Sequence, residues 1–266
     1  MDLDLKGKTA IITGGSRGIG KAIGMALAKE GANVAIVARD QATLDAAAAD
    51  IAKATGAKVA ALSADTGDDA AVKRMVGEVA SAFGRIDILV NCAAQPGGQG
   101  KPPALLEINN EHFWADMNIK VMGYLRTSRE VAPHMIKAGG GRIIHVSGLA
   151  ARSTGTIIGS MRNVAVAALT KNMADELSPH GIAVICVHPG LTRTEKTPGV
   201  IAAQAKAQGV SEAEIETRMA GRNLARKIIT AQEVADVVAF LASSRAAAIN
   251  GDAIAAGGGV PGPIHY

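Results

Sequence analysis

Three glycines near the amino terminus have the spacing of a phosphate-binding turn. Gly14, Gly18 and Gly20 follow a short apolar run at residues 9–13, and a helix-like stretch begins directly after them. Glycine suits such a turn because a Cβ would collide with the backbone or with a phosphate. The free N–H groups and the dipole at a helix start favour an anion. The pattern predicts a site for the pyrophosphate of a dinucleotide. The predicted contacts of this turn are Gly14, Ser16, Arg17, Gly18, Ile19 and Gly20.

The elements that must position this turn alternate along the whole chain. The candidate strands are residues 9–13, 33–38, 58–63, 86–90, 142–146, 182–187 and 253–256, and the clearest helical patterns are 42–54, 69–83, 113–134 and 164–177. Such alternation indicates right-handed βαβ units around a parallel sheet. No linker-like composition divides residues 1–266. We therefore expect an α/β fold, a single-domain, Rossmann-like, doubly wound parallel sheet of about seven strands with helices on both faces.

Composition limits the function classes. Hydrophobic residues make up 48% of the 266 residues and aromatic residues only 2%, so the core must be built from Ala, Val, Ile and Leu. The net charge of +4 is interspersed, which argues against nucleic-acid binding. No apolar run approaches the ~20 residues of a membrane span, and the N-terminal residues do not resemble a signal peptide. Cys92 and Cys186 lie in apolar runs and predict buried thiols rather than a disulfide. We expect a cytoplasmic protein that has no metal site and does not bind membranes.

The stretch at residues 192–223 interrupts the alternation just after a strand ends. It is rich in Ala, Gln, Glu and Arg. A long insertion at the carboxyl edge of a sheet is often a substrate lid. Two ordinary surface helices would explain the same composition, and both interpretations stay open.

Short motifs recur after the later strands. They are Asp65-Thr66 after the third, Asn91-Cys92-Ala93-Ala94 after the fourth, Asn118 in the next helix, Pro189-Gly190 to Thr194 after the sixth, and Gly257-Gly258-Gly259 near the C-terminus. Together with the T-G-x-x-x-G-x-G pattern that ends at Gly20, they resemble the short-chain dehydrogenase/reductase family over essentially the whole chain. The resemblance implies a nicotinamide dinucleotide and a small carbonyl or alcohol substrate. It also implies a homodimer or homotetramer formed partly through the helix at 164–177, although the apolar surface of that helix would equally suit an internal face.

The resemblance assigns the motif residues to parts of the cofactor. Asp65 would contact the adenine, and Asn118 would carry a water of the proton relay. The segment from Pro189 to Thr194 would lie beside the nicotinamide and its carboxamide. The implied cofactor contacts beyond the glycine turn are Arg39, Asp65, Thr66, Asn91, Ala93, Pro189, Gly190, Thr192 and Thr194.

The end of the second strand favours NADP(H) over NAD(H). A carboxylate at that position accepts hydrogen bonds from the ribose hydroxyls and repels a 2′-phosphate, whereas a basic residue does the opposite. The strand ends in Ala38-Arg39-Asp40, and Arg39 together with Arg17 could clamp a phosphate. Asp40 would favour NAD(H) if the strand ended one residue later. Arg39 could also be a solvated loop charge.

The residues that should move the proton are absent from their expected places. In the family a Ser positions the substrate oxygen, a Tyr donates the proton, and a Lys four residues later lowers the Tyr pKa. The two tyrosines of this chain, Tyr124 and Tyr266, have no lysine four residues downstream. Alignment of the helix at 164–177 places Gly159 at the Tyr position and Asn163 at the Lys position. This departure puts ordinary carbonyl reduction in doubt.

The serine position falls on Gly148 when the strand is counted without gaps, and on Ser147 if the strand has a one-residue bulge. We take Asn118 and Ser147 as the candidate catalytic residues. The possible substitutes for the missing pair are Ser160, Arg162 and Asn163 in the helix and His145 and His188 in the strands. Serine is a weak acid and arginine stays protonated, so neither replaces a tuned phenol. A histidine has a suitable pKa only if it reaches the site.

Three functional interpretations remain. The first is an NADP(H)-dependent oxidoreductase with a divergent proton path. The second is a catalytically weak or inactive NADP(H)-binding sensor or partner subunit. The third, a lyase or isomerase on the same fold, has no positive residue support. The fold alone does not decide between them.

Overall fold

A seven-stranded parallel sheet forms the centre of the protein. A computed structural model describes residues 1–94 and 103–262. The strands are β1 (Thr9–Thr13), β2 (Asn33–Ala38), β3 (Val59–Ser63), β4 (Ile88–Asn91), β5 (Gly141–Val146), β6 (Ile182–Pro189), β7 (Thr192–Arg193), β8 (Ile229–Thr230) and β9 (Ala253–Ala256). The main sheet has the order β3-β2-β1-β4-β5-β6-β9, and β7 pairs with β8 separately. The predicted α/β class and seven-stranded, doubly wound sheet are confirmed.

Helices cover both faces of the sheet. One face carries α1 (Gly18–Lys29), α2 (Gln41–Thr55) and α9 (Ala231–Ala242), and the other carries α3 (Asp69–Phe83), α5 (Gly123–Lys137) and α6 (Ile157–Leu177). Two neighbours in β1 show the division, since Ile12 belongs to the first apolar core and Ile11 to the second, both fully buried. Because both faces are covered, the strands are continuous aliphatic runs rather than alternating ones.

The pairing register brings the carboxyl ends of the central strands together. Thr13 lies beside Asn91, and Asn91 lies beside His145. Further along the sheet, Val146 lies beside Val187. The loops that follow these strands therefore open on one edge, which is where ligands bind in sheets of this kind.

The helical run predicted at residues 113–134 is longer and is interrupted. α4 (Asn110–Met117) and α5 are joined by a π-helical turn, Asn118–Met122. A π turn accommodates an extra residue and frequently marks a functional site. Here it changes the directions of the side chains that follow Asn118, including that of Lys120.

The stretch at residues 192–223 is largely helical. It contains α7 (Thr197–Gln208) and α8 (Glu212–Ala220), which pack on each other through a small apolar cluster that includes Ile201, Ile215 and Met219. Two helices were one of the alternatives at this place, and they stand directly after the carboxyl end of β6.

Residues 1–94 and 103–262 contain no helix that is both long enough and apolar enough to cross a membrane. In the same residues no three His, Cys, Asp or Glu side chains come together as a metal site.

Candidate active site

The turn between β1 and α1 has no room for side chains. An ideal Cβ at Gly20 would collide with the carbonyl oxygen of Gly14, and one at Gly14 would lie 2.9 Å from the carbonyl oxygen of Cys92. The Thr13 hydroxyl ties the turn to the end of β4 by accepting the N–H groups of Cys92 and Ala93, at 3.1 and 3.2 Å. The turn is therefore a backbone cradle in which glycine is required.

The first turn of α1 already binds an anion. The N–H of Gly18 donates to Oε1 of Glu195 at 2.8 Å. Arg17 gives this helix no side-chain cap, and the first turn contains no acidic residue. The N–H groups at a helix start have no partner within the helix. The Glu195 carboxylate therefore lies at the positive end of a helix dipole, where an anionic acceptor is favoured.

At the second strand, the carboxylate that would favour NAD(H) is already engaged. β2 ends at Ala38, and Asp40 caps α2 by accepting the N–H of Thr43 at 2.8 Å. The bonds to Thr43, with the charge of Arg17, hold the pKa of Asp40 below its usual value. Arg17 and Arg39 are both exposed. β2 therefore ends at Ala38, which is the strand end that the prediction of NADP(H) assumed.

The loop after β3 is held against the π turn. Oδ1 of Asp65 accepts the N–H of Gly67 at 2.8 Å, and Nδ2 of Asn118 donates to the carbonyl oxygen of Gly67 at 3.4 Å. The backbone carbonyl of Asn118 in turn accepts from the Arg126 guanidinium at 3.1 Å. Thr66 is buried in this loop. Asp65 and Asn118, which lie far apart in the sequence, thus meet at one loop.

The side chain of Asn91 points into the protein. Its Oδ1 accepts from the Thr127 hydroxyl at 2.6 Å, and its Nδ2 donates to the Ser128 hydroxyl at 3.3 Å. Asn91 thereby fastens β4 to α5. Because the Asn91 side chain is engaged, a cofactor could contact Asn91 only through backbone atoms, and the same holds for Ala93.

The segment after β6 returns to the glycine turn. β6 ends at Pro189, and the Thr192 hydroxyl donates to the carbonyl oxygen of Gly190 at 3.1 Å. A Cβ at Gly18 would lie 3.5 Å from the methyl carbon of Thr194. The structure therefore brings the predicted nicotinamide segment and the predicted pyrophosphate turn together.

The end of β5 faces residue 163 of α6. The Ser147 hydroxyl donates to the backbone carbonyl of Asn163 at 3.0 Å. An ideal Cβ at Gly148 would point at the side chain of Asn163, 3.0 Å from its Nδ2. The direction of a side chain at Gly148 therefore agrees with the alignment without gaps. The catalytic assignment of Ser147 stays a prediction.

The start of α6 is built around a residue without a side chain. Thr156 caps the helix by accepting the N–H of Gly159 at 3.0 Å, and an ideal Cβ at Gly159 would collide with the same hydroxyl. Asn163 is only 5% exposed, yet its Oδ1 has no hydrogen-bond partner among residues 1–94 and 103–262. The buried hydroxyl of Ser160 has none either. Two buried polar atoms thus stand near the place where the family's pair would act.

Residues 8–205 match the sequence model of short chain dehydrogenases. The chain belongs to the short-chain dehydrogenase/reductase family. It is 33% identical over 260 residues to an uncharacterized oxidoreductase of Methylorubrum extorquens, which covers 96% of this chain and 98% of that protein. It is 31% identical over 255 residues to the NADPH-dependent reductase BacG of Bacillus subtilis, with 95% and 97% covered.

A solved structure in the family has nearly the same fold. The L-sorbose reductase of Gluconobacter frateurii, complexed with NADPH and L-sorbose, superposes with a TM-score of 0.92 at 31% identity, covering 99% of this chain and 100% of that one. The recognition made from the motifs is confirmed.

The one tyrosine within the described residues, Tyr124, has its hydroxyl engaged by β5 and not at α6. Tyr124 is buried, its hydroxyl donates to the carbonyl oxygen of Val146 at 2.8 Å, and burial raises its pKa well above the usual value. Tyr266 lies outside the described residues. Tyr124 therefore serves the packing of α5 on β5.

Of the two histidines that we considered, His145 is unsuited to donate the proton. His145 is fully buried between the hydroxyls of Thr170 and Ser128, and burial lowers its pKa to about 3. It is therefore neutral at ordinary pH. Nδ1 of His188, which is 1% exposed, accepts the N–H of Gly148 at 3.4 Å. His188 thus supports the backbone at the end of β5.

Sequence analysis missed Lys120. This lysine lies in the π turn and is 4% exposed, and its Nζ donates to the carbonyl oxygen of Ser147 at 2.9 Å. Burial, and secondarily the charge of Arg162, lower the pKa of Lys120 to about 8. The available signal was an ionisable residue two positions after Asn118. Only the hydrogen bond from the π turn to the residue after β5 shows where its side chain points.

Proposed function

We propose that this chain is an NADP(H)-dependent oxidoreductase that acts on a small carbonyl or alcohol substrate through a divergent proton-transfer site. One observation carries the proposal. The first turn of α1 binds a carboxylate through the Gly18 N–H, next to a cradle that a Cβ at Gly14 or Gly20 would fill. A pyrophosphate presents the same kind of acceptor oxygen with more charge.

The residues at the carboxyl edge of the central sheet fit a dinucleotide. Those that would hold it are Gly14, Ser16, Arg17, Gly18, Ile19, Gly20, Arg39, Asp65, Thr66, Asn91, Ala93, Pro189, Gly190, Thr192 and Thr194. Bound there, the nicotinamide would supply or accept a hydride, and the protein would supply the orientation and the proton.

Two observations support NADP(H) rather than NAD(H). Arg17 and Arg39 are exposed beside the end of β2, while Asp40 is engaged at the cap of α2. A guanidinium recognises a phosphate by paired, charge-assisted hydrogen bonds. The relatives point the same way, because BacG is named as NADPH-dependent and the L-sorbose reductase structure contains NADPH.

The site would handle the proton differently from the family pattern. Asn118 and Ser147 remain our candidates for residues that position the substrate and the relay. Neither an amide nor an aliphatic hydroxyl is an acid near neutral pH. The proton donor must therefore be another group, because Gly159 and Asn163 occupy the positions of the phenol and the ammonium.

We also propose that residues 192–223 act as a lid on a single domain formed by residues 1–266. The segment carries α7 and α8 with their own apolar cluster. It reaches the cofactor turn through the side chains of Thr194 and Glu195, and only the Glu195 carboxylate accepts the Gly18 N–H. A pyrophosphate would displace this carboxylate, so cofactor binding and movement of the segment would be coupled.

Assembly and location complete the proposal. Met161 and Val164 on α6 are 49% and 51% exposed, and Met122 of the π turn is 39% exposed. Apolar side chains left this exposed favour a homodimer or homotetramer formed through these helices. We propose a cytoplasmic location, as composition suggested.

Calorimetric titration with NADPH and NADH tests the cofactor. We expect tighter binding of NADPH, and an Arg17→Ala/Arg39→Ala double variant should lose most of that preference while still binding NADH. Arg74→Ala, which changes an exposed residue of α3, is the matched control. Absence of binding by both coenzymes to folded protein would overturn the proposal.

Turnover tests the reaction. The assay follows the absorbance of NADPH with L-sorbose, an activated aromatic diketone and a panel of small ketones and aldehydes. Consumption that depends on the substrate supports the oxidoreductase. Saturable NADPH binding without turnover would identify the sensor or partner subunit instead.

A further inference from the structure

A buried ammonium lies beside the residue that follows β5. Lys120 is 4% exposed, and its Nζ donates to the carbonyl oxygen of Ser147 at 2.9 Å. A lysine ammonium is rarely buried to this extent unless it is paired. A neutral carbonyl is a weak partner for a full positive charge. Packing alone therefore does not explain why a lysine occupies this buried position.

Lys120 is linked to the candidate site by a short chain of contacts. Ser147, whose carbonyl binds the ammonium, donates its hydroxyl to the backbone of Asn163. The next residue, Gly148, has its vacant Cβ direction aimed at the Asn163 side chain. The ammonium is therefore connected through Ser147 to the place where the family's serine and lysine positions face each other.

α6 carries two buried acceptors at and near this place. Among the described residues, Oδ1 of Asn163 and, one turn earlier, the hydroxyl oxygen of Ser160 have no hydrogen-bond partner. Buried polar groups of this kind are normally satisfied by ordered water. A water molecule at Asn163 would stand between the protein and a carbonyl oxygen placed at the site.

Burial and the neighbouring charges set the pKa of Lys120. The ionisable groups that face it from the packed elements are Arg162 of α6, Asp116 of α4, Cys92 after β4 and Cys186 of β6. Burial lowers the pKa of Lys120 most, Arg162 lowers it further, and the two thiols and Asp116 act in the opposite direction. Arg162 is itself paired with Asp116. The resulting pKa of about 8 is close to the value at which a general acid works best near neutral pH.

We propose that Lys120 is the proton source of the reaction, acting through a water molecule bound at the amide oxygen of Asn163. The inference rests on the proposed oxidoreductase function. In the reducing direction the carbonyl carbon gains a hydride and its two electrons. The substrate oxygen takes a proton from the water, the water takes one from Nζ of Lys120, and the neutral amine is reprotonated from solvent.

Three variants test the role by kinetics. In the wild type, kcat/KM for reduction should fall about tenfold per pH unit above roughly pH 8. Lys120→Met should lower kcat/KM by about 10²-fold or more and remove this decline. Lys120→Arg keeps the positive charge but does not release its proton, so it should be as impaired as Lys120→Met. Lys171→Met, at an exposed lysine of α6, is the control and should behave as the wild type.

A second readout does not depend on activity. NMR titration of protein with labelled lysine side chains, with the Lys120 signal assigned by its loss in Lys120→Met, should give a pKa of about 8 for that signal. NADPH affinity of the variants should stay within about threefold of the wild type. If Lys120→Met does not fold, Lys120→Arg carries the same comparison, because it retains the charge and the length.

The outcomes separate the two proposals. If Lys120→Arg restores wild-type rates, or if the Lys120 signal titrates at the pKa of exposed lysines, the ammonium is structural and this inference is overturned while the oxidoreductase proposal stands. If the wild type binds NADPH but reduces no probe, the oxidoreductase proposal fails and this inference fails with it.

Discussion

Replacing Lys120 with Met should change how the stability of the fold depends on pH. The pKa of this ammonium falls from 10.5 to about 8 on folding, chiefly because of burial. Between these two values the unfolded chain binds more protons than the folded one. Stability of the wild type therefore rises with pH through this window, and the cost of burying the charge is fully present below pH 8.

The size of the effect follows from the two pKa values. The burial of the protonated amine opposes folding by about 3 kcal/mol at pH 7 and by only about 1 kcal/mol at pH 10. The wild type should therefore gain about 2–3 kcal/mol relative to Lys120→Met between these pH values. The lost hydrogen bond to the Ser147 carbonyl shifts the comparison by an amount that does not depend on pH.

Urea unfolding of both proteins at several pH values measures the difference. Burial raises the pKa values of Cys92 and Cys186 to about 11, and the charge of Lys120 lowers both slightly. Both thiols therefore stay largely protonated in the folded state of either protein up to about pH 10 and titrate alike in the unfolded chains, so residue 120 dominates the comparison. Lys171→Met should run parallel to the wild type below pH 10. A free-energy difference between wild type and Lys120→Met that stays constant from pH 7 to 10 would refute the assignment of a depressed pKa to Lys120.

Two further predictions concern the cofactor turn. Gly20→Ala should abolish NADPH binding in calorimetry because its Cβ would collide with the Gly14 carbonyl. The control is Gly77→Ala, in open space on α3, which should bind NADPH normally and have a free energy of unfolding about 1 kcal/mol higher. Equal binding of NADPH by both variants would disprove the requirement for glycine at position 20. Glu195→Gln keeps an acceptor for the Gly18 N–H but removes a charge that competes with the pyrophosphate, so NADPH should bind about 3–10-fold more tightly at low salt. Weaker binding by this variant would show that Glu195 supports the bound state instead.

The strands and the glycine turn could be predicted from the sequence. Thr9–Thr13 and Asn33–Ala38 form as expected because continuous aliphatic runs are distinctive of strands buried on both faces. The end of the second strand at Ala38 was also decidable, since Asp40 has the residue type of a helix cap and acts as one.

The interior of the candidate site could not be predicted. The π turn at Asn118–Met122 is set by tertiary packing and has no local sequence signal of its own. The partner of Lys120 is a backbone carbonyl of Ser147, and backbone groups are invisible to motif reading. The Glu195 contact joins residues 177 positions apart. For the same reason, helices α7 and α8 were only one of two alternatives, because their apolar cluster forms between them and not on the sheet.

The absence of the phenol was visible in the sequence, but its consequence was not. From the sequence alone, Gly159 and Asn163 indicate only that a phenol and an ammonium are missing from these positions. The structure instead shows a helix start capped by Thr156, a buried amide oxygen of Asn163 that has no partner among the described residues, and an ammonium of the π turn that donates to the residue after β5.

Transfer of deuterium from NADPH that carries deuterium at both C4 positions to a carbonyl substrate tests the central claim most directly. Mass spectrometry of the product formed by the wild type, with L-sorbose or an activated diketone as the acceptor, should show one deuterium per molecule of alcohol at the former carbonyl carbon. Protein that binds NADPH with saturation and yet leaves every acceptor unlabelled would contradict the account.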